Sequence, residues 1–321
     1  MVFSRTKTDV PFTVLKSRLT ATLGEPPAGI VELDGGMFNS AFRVVMGGGE
    51  QLVVRVGPTP DAPLLRYERD LLSTEIDMMR LVRDNTSIPV PRIVHVSRSG
   101  DEISGAAWFA MEVVPGRPLD EVRHGLSEKA RDSIDRDVGR ILVELNSITG
   151  QVFGYPNRVE TQHPQWRQAF ERILADLLDD GADKDVPLPL RSQDIRILAE
   201  GDSWALSEVT EPRLVHWDLW DGNVFVDDGE ITGIIDFERA LWGDPLMEYN
   251  FSSLRKQPGT FYAGYGRRMP QTEGETARRR LYDLHFFLVH VIETYYREYE
   301  PNDQLEWAYP ILTRFLEEYP R

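Results

Sequence analysis

Cysteine is absent from the 321 residues, and lysine is scarce, with five positions (7, 16, 129, 184 and 256) against 31 arginines. The first absence excludes disulfides, thiolate metal centres, iron–sulfur clusters and a cysteine nucleophile, and it is compatible with a reducing compartment. No apolar run approaches the roughly 18 residues that a bilayer-spanning helix needs. The opening stretch MVFSRTKTDVPFTVLKS has no continuous apolar core of the secretory kind. The expectation is therefore a soluble, cytoplasmic chain. Positive charge is also short: 36 basic residues face 52 acidic ones, a formal net charge of −16. That balance disfavours nucleic acid and anionic membranes as partners and would attract a cationic small molecule. Hydrophobic residues at 41% and charged residues at 27% are ordinary for a globular protein and exclude extensive disorder.

The length suggests two domains or one bilobal unit. The first third reads as strand-rich. AFRVVM (41–46) and QLVVRV (51–56) form a hairpin about Gly47-Gly48-Gly49-Glu50, and IVEL (30–33) runs into Asp34-Gly35-Gly36. Leu71, Leu72, Ile76, Met79 and Val82 recur at helical spacing, which predicts a helix over about 66–82. RIVHV (92–96) and GAAWFAMEVV (105–114) read as strands, the second ending at Pro115-Gly116. Residues 127–148, 164–180, 191–207, 271–298 and 302–318 then carry helical periodicity. Between the third and fourth of these lies a β-like insert, RLVHWDLWDGNVFVDDGEITGIIDFE (213–238), with a turn at Asp228-Gly229. A small β-rich lobe, a Pro-Gly hinge and a helical lobe with one acidic insert make an α+β plan whose inter-lobe cleft is the expected ligand site.

The chemistry concentrates in that insert. Asp218 and Asn223 are separated by four residues in a polar run between apolar strands, and Asp236 ends the returning strand. Two carboxylates and an amide oxygen form a hard oxygen set suited to Mg²⁺, which binds few protein ligands and keeps room for phosphate oxygens. A carboxylate held off the metal can take the proton of a substrate hydroxyl. The cluster thus suggests metal-assisted phosphoryl chemistry.

HWDLWDGNVF followed by GIIDFERALWGDP resembles the catalytic segment of the aminoglycoside phosphotransferase-like small-molecule kinases, relatives of the protein kinases. The resemblance rests on His-x-Asp-x-x-x-x-Asn, on a second Asp 18 residues after the first, and on Gly243-Asp244-Pro245. It implies a bilobal protein-kinase-like fold, with a β-rich nucleotide lobe over 1–112, a hinge at 113–117 and a helical catalytic and substrate lobe over 118–321. It implies Asp218 as the catalytic base, Asn223 and Asp236 as the Mg²⁺ ligands, and ATP or GTP as co-substrate. His216 would support the loop by hydrogen bonding, and Asp244 would cap a helix. In the first lobe, Asp34-Gly35-Gly36-Met37-Phe38-Asn39-Ser40 stands where a loop covers phosphates, so Ser40 joins the nucleotide site. Arg55 stands where the family carries its phosphate-contacting lysine, with Glu75 as its ion-pair partner on the helix. Backbone groups from Glu112 to Val114 would meet the adenine edge, with Phe109 and Met111 beside the base. Two departures from the family pattern are Arg55 and Trp217, the latter in place of glycine.

The acceptor implied is a hydroxylated small molecule. Acidic lining from Glu238, Glu248, Glu293 or Glu298 would suit a cationic aminoglycoside. Aromatic lining would suit a macrolide or nucleoside antibiotic, with Trp217, Trp220 and Trp242 as candidates for a wall. Resistance to an antibiotic is the role these acceptors suggest. Two other readings exist: a nucleotide-binding regulator without catalysis, favoured by Arg55, and a Mg²⁺-dependent phosphohydrolase, favoured by the Asp/Asn cluster alone.

Overall fold

The computed structural model describes residues 3–34, 36–97 and 100–320. Gly35, within the expected phosphate-covering loop, lies outside the described residues. The chain opens with a helix that the sequence reading passed over, α1 (Phe12–Leu23), which buries only Leu15 and Leu19. A five-stranded antiparallel sheet follows: β1 (Pro27–Glu32), β2 (Ser40–Met46), β3 (Gln51–Val56), β4 (Ile93–Val96) and β5 (Trp108–Glu112), in the order β1-β2-β3-β5-β4. Strand alternation divides its side chains between two faces. Phe42, Val44, Leu52, Val54, Trp108 and Ala110 pack under Leu15 and Leu19. Phe109 and Met111, on the other face, join the larger core that includes Ile76 and Met79 of α2 (Leu71–Asn85).

The helix expected from residue 66 begins at Leu71 instead. Arg66–Glu68 form a 3₁₀ turn, and Asp70 sits at φ 63 before the helix starts. The Glu68 carboxylate accepts the Leu65 N–H (3.0 Å) and pairs with the buried Arg297. That inward pull breaks the helical path where local periodicity alone would extend it.

After Gly116 come β6 (Arg117–Pro118), α3 (Leu119–Val122), α4 (Glu128–Leu145), α5 (Trp166–Asp183) and α6 (Ser192–Asp202). The acidic insert is two small ladders rather than one sheet. β7 (Arg213–Val215) pairs with β10 (Leu241–Gly243), while β8 (Val224–Asp227) pairs with β9 (Glu230–Ile234) and with β6. The loop 216–223 and the return 235–240 emerge side by side between these ladders. The chain closes with α7 (Gly259–Tyr265), α8 (Glu273–Arg297) and α9 (Asp303–Glu318). A capping box of Thr272 and Glu275 starts α8, which runs through the helical core with His285, Glu293 and Arg297 buried. No described helix is long and apolar enough to cross a membrane. The result is a mixed α/β, bilobal protein-kinase-like fold: a β-rich first lobe and a larger, mostly helical second lobe.

Candidate active site

The loop between β7 and β8 is fixed from below by Glu248. Its fully buried carboxylate accepts the N–H of His216 (2.9 Å), the N–H of Trp217 (3.0 Å) and the Asn146 side-chain amide (3.1 Å). Trp217 takes a left-handed conformation, φ 71, which costs a bulky residue free energy and persists only where its surroundings over-determine it. The same turn directs its ring into the core, where it is 4% exposed. His216 donates Nε2–H to the Ile235 carbonyl (3.0 Å), joining the loop to the returning strand. Burial pushes His216 down to about 4, so the ring is neutral and structural.

Asp218 follows, half-buried. Burial pushes its carboxyl up to about 7, with Asp236 and Glu238 adding to the rise and Arg239 opposing it. A carboxylate of that basicity is suited to accept a proton near neutral pH. Asn223 donates Nδ2–H to the Asp218 carbonyl (2.8 Å), which leaves its amide oxygen as the remaining donor atom. Asp236, at φ 71, accepts Arg55 Nη1 at 2.8 Å through Oδ1. Burial works upward on Asp236, but the Arg55 guanidinium holds it below the usual carboxylate range.

Arg55 is the hub of the first lobe's contribution. Register places it opposite Phe109, on the face toward α2. Its guanidinium pairs with Glu75 of α2, with Asp236, and with Glu238 at 3.3 Å. Glu75, Asp236 and Glu238 have oxygens within 4.8 Å of one another, but Arg55 bonds all three, so they form an ion-pair network. Burial opposes the charge on Arg55, and the three carboxylates more than offset it, raising its pKa. Burial pushes Glu238 up to about 7, aided by Asp236. The Glu238 carboxylate also accepts Asn39 Nδ2–H (2.7 Å), which ties the start of β2 to the second lobe.

The other expected residues are placed less directly. Ser40 is buried and donates its hydroxyl to the Thr8 carbonyl (2.7 Å). Glu112 turns its side chain outward to Arg92 (2.8 Å), and the Val114 side chain packs on Gly233. Phe109 and Met111 are core residues. Asp244 caps the turn after it, accepting Leu246 N–H (3.1 Å), and also binds Arg278 and Tyr282. The acidic substrate lining does not form. Glu248 and Glu293 are 0% and 1% exposed, Glu293 pairs with Arg239 and Arg297, and Glu298 pairs with Arg5. The three tryptophans do not make one wall either: Trp217 is buried against α8, Trp220 is 42% exposed over Gly222, and Trp242 covers Gly150.

Arg239 and Arg297 are structural partners that the sequence reading did not assign, and Glu248 and Asn39 take structural roles other than the lining and loop places expected of them. The signal available for Glu248 was its position three residues past Pro245. Arg239 and Arg297 carry no local signature.

The family model described as "Phosphotransferase enzyme family" matches residues 29–283. A protein-ribulosamine 3-kinase, chloroplastic, of Oryza sativa subsp. indica is 26% identical over 308 residues, covering 85% of this chain and 81% of its own length. A "Probable ketoamine kinase" of Klebsiella aerogenes is 26% identical over 273 residues, covering 80% and 84%. Among solved structures, an aminoglycoside phosphotransferase, APH(4)-Ia, in ternary complex with AMP-PNP and hygromycin B, superposes with a TM-score of 0.68 at 19% identity, covering 95% of this chain and 98% of that one. At that identity the likeness speaks for the fold. With these matches and the loop geometry together, the chain belongs to the phosphotransferase enzyme family and is an O-phosphotransferase of small molecules.

Proposed function

We propose that this chain transfers the γ-phosphoryl group of ATP or GTP to a hydroxyl of a ketoamine, the adduct of a sugar with an amine, in the cytoplasm. The observation that carries the reading is the convergence of Asp218, Asn223 and Asp236 beside the Arg55–Glu75 pair. The choice of acceptor follows relatives named as ketoamine and ribulosamine kinases. It replaces the antibiotic acceptors, and the resistance role, that the motif first suggested.

In the proposed step Asp218 takes the proton of the acceptor hydroxyl as that oxygen bonds to the γ-phosphorus. The bond from phosphorus to the bridging oxygen breaks, and ADP or GDP leaves. The lobes divide at the 113–117 hinge, whose backbone near Glu112 and Val114 meets the base. Since the Ser40 hydroxyl is committed to Thr8, its contribution to the phosphates is through the backbone. The Asn223 amide oxygen and the free oxygen of Asp236 are hard donors that fit Mg²⁺. When bound, the metal would neutralise phosphate charge, and the chain's own work is orientation and proton acceptance.

The test is coupled ADP and GDP release with ribulosamine, fructosamine and aminoglycoside acceptors. Asp218→Asn is expected to lower kcat by about 100- to 10,000-fold while Mg·ATP still binds. Wild-type-like turnover in that variant would remove Asp218 from the role of base. The regulator reading is favoured by Arg55, whose guanidinium is tied to Asp236. It predicts nucleotide binding with no acceptor-stimulated release.

A further inference from the structure

Residues 3–10, ahead of α1, alternate in burial. Ser4, Thr6, Thr8 and Val10 are buried, Lys7 is half-buried, and Phe3, Arg5 and Asp9 are exposed. Such alternation belongs to an extended segment with one covered face. Both lobes supply the cover. The Phe3 and Arg5 amides donate to the carbonyls of Glu300 (3.2 Å) and Arg297 (2.8 Å), just past and at the end of α8. The Thr6 hydroxyl, 2.9 Å from that of Ser4, donates to the Phe38 carbonyl (3.2 Å). The Thr8 hydroxyl donates to the Gly57 carbonyl (2.7 Å), just past β3, and the Thr8 carbonyl accepts the Ser40 hydroxyl (2.7 Å).

A buried hydroxyl without a partner costs its full desolvation, so these three must be matched. Thr6 and Thr8 are matched around residues 36–40, the loop to which the kinase reading gives the phosphates. Gly36 and Met37 of that loop are exposed, whereas Phe38, Asn39 and Ser40 are buried. The return of the loop is held from the other side as well. The Phe38 ring lies 4.9 Å from the Arg297 guanidinium, and Asn39 bonds Glu238 (2.7 Å). The contacts with Thr6 and Thr8 use a carbonyl and a hydroxyl of the loop. They engage none of its N–H groups, the atoms suited to phosphate oxygens.

We propose that residues 4–8 are a strap that positions the loop 36–40 for the nucleotide phosphates, with Thr6 and Thr8 as the positioning residues. The proposal rests on the kinase reading above and adds a determinant of nucleotide affinity far from the catalytic segment in sequence. A loop already held in its binding conformation is spared the ordering cost when nucleotide arrives.

The test measures binding of Mg·AMP-PNP and Mg·GMP-PNP to the full chain by calorimetry, with urea unfolding of the same proteins. Thr6→Val removes the donor to Phe38 with little change of shape, and Thr8→Val removes the donor to Gly57. Each is expected to weaken nucleotide binding about twofold to tenfold. Thr6→Ser, which keeps the hydroxyl, is expected to recover most of the loss. The acceptor KM, measured at saturating nucleotide, stays at the wild-type value. The two valine variants break separate bonds, so either one decides if the other does not fold. Arg5→Gln breaks only the exposed ion pair with Glu298 (2.7 Å) and is the control, with wild-type affinity. Unchanged nucleotide affinity in the folded valine variants, whatever their urea midpoints, makes the segment a stabilising contact only; the strap is then overturned and the kinase reading stands. A loss in Thr6→Val that Thr6→Ser does not recover also overturns it, because the hydroxyl is then not the cause. A wild-type chain that binds neither nucleotide overturns the kinase reading and the strap with it.

Discussion

Arg55 does more than replace a lysine. One guanidinium contacts Glu75, Asp236 and Glu238, and its side chain is only 12% exposed. A lysine ammonium is a point charge without the planar fork, so it cannot reproduce that bridging. Removing the cation altogether leaves three carboxylates together, two of them buried, and breaking a buried pair in this way costs about 3–5 kcal/mol. Arg55→Ala should therefore lose stability of that order in urea unfolding and bind nucleotide weakly. Arg55→Lys should fall between the two, and a lysine variant as stable as the wild type would contradict the bridging role. The family resemblance paired Arg55 with Glu75 and gave Asp236 as a Mg²⁺ ligand, but not as a partner of Arg55. Glu238 was legible only as one more acid, because its role depends on a strand and loop brought in from the other lobe.

Helices and strands were more legible than their junctions. The hairpin β2–β3, the turn at Asp228-Gly229 and the long helices follow from turn residues and periodicity. The late start of α2 does not, since it follows from Glu68 being drawn to Arg297. Nor does the contact between α4 and α7, which depends on paired glycines. A Cβ on Gly264 would overlap the Arg136 carbonyl, and one on Gly139 would overlap the Phe261 carbonyl. Alanine improves helix propensity by up to about 1 kcal/mol, but forcing two backbones apart typically costs about 1–3 kcal/mol. The steric term should win. Gly264→Ala is expected to lower the urea midpoint at unchanged slope, and a raised midpoint would show that the helices can separate freely.

Across the molecule, the two lobes are joined by buried polar contacts as well as by the connecting chain. Arg297 pairs with Glu68 and lies 4.9 Å from the Phe38 ring, Arg66 pairs with Asp180, and Asn39 reaches Glu238. The helical core also encloses histidines. Burial pushes His285 down to about 3, with Arg239, His290 and Arg279 adding to the shift. Its unfolded value is near 6.5, so the unfolded chain binds a proton that the folded chain refuses. This contribution is neutral above about pH 6.5 and destabilises increasingly as pH falls toward 3. His285→Phe should therefore gain on the wild type by about 1.4 kcal/mol per pH unit below 6.5. Urea titrations at pH 7 and pH 5 measure this, and a constant difference between the two proteins would mean that His285 is protonated in the fold.

The linear order of residues was enough for the family and the bilobal plan, and it singled out Asp218, Asn223 and Asp236 as a candidate site. Those rest on spacing along one chain: Asp218 to Asn223, Asp236 beyond the hairpin, and alternation or helical period in the flanking runs. Contacts between distant segments lay outside such spacing. That Glu248 holds the loop, and that Glu293 and Glu238 face arginines rather than a substrate, depend on segments separated by tens to hundreds of residues. A buried charge must find its partner wherever the fold supplies one, and that pairing is made in three dimensions.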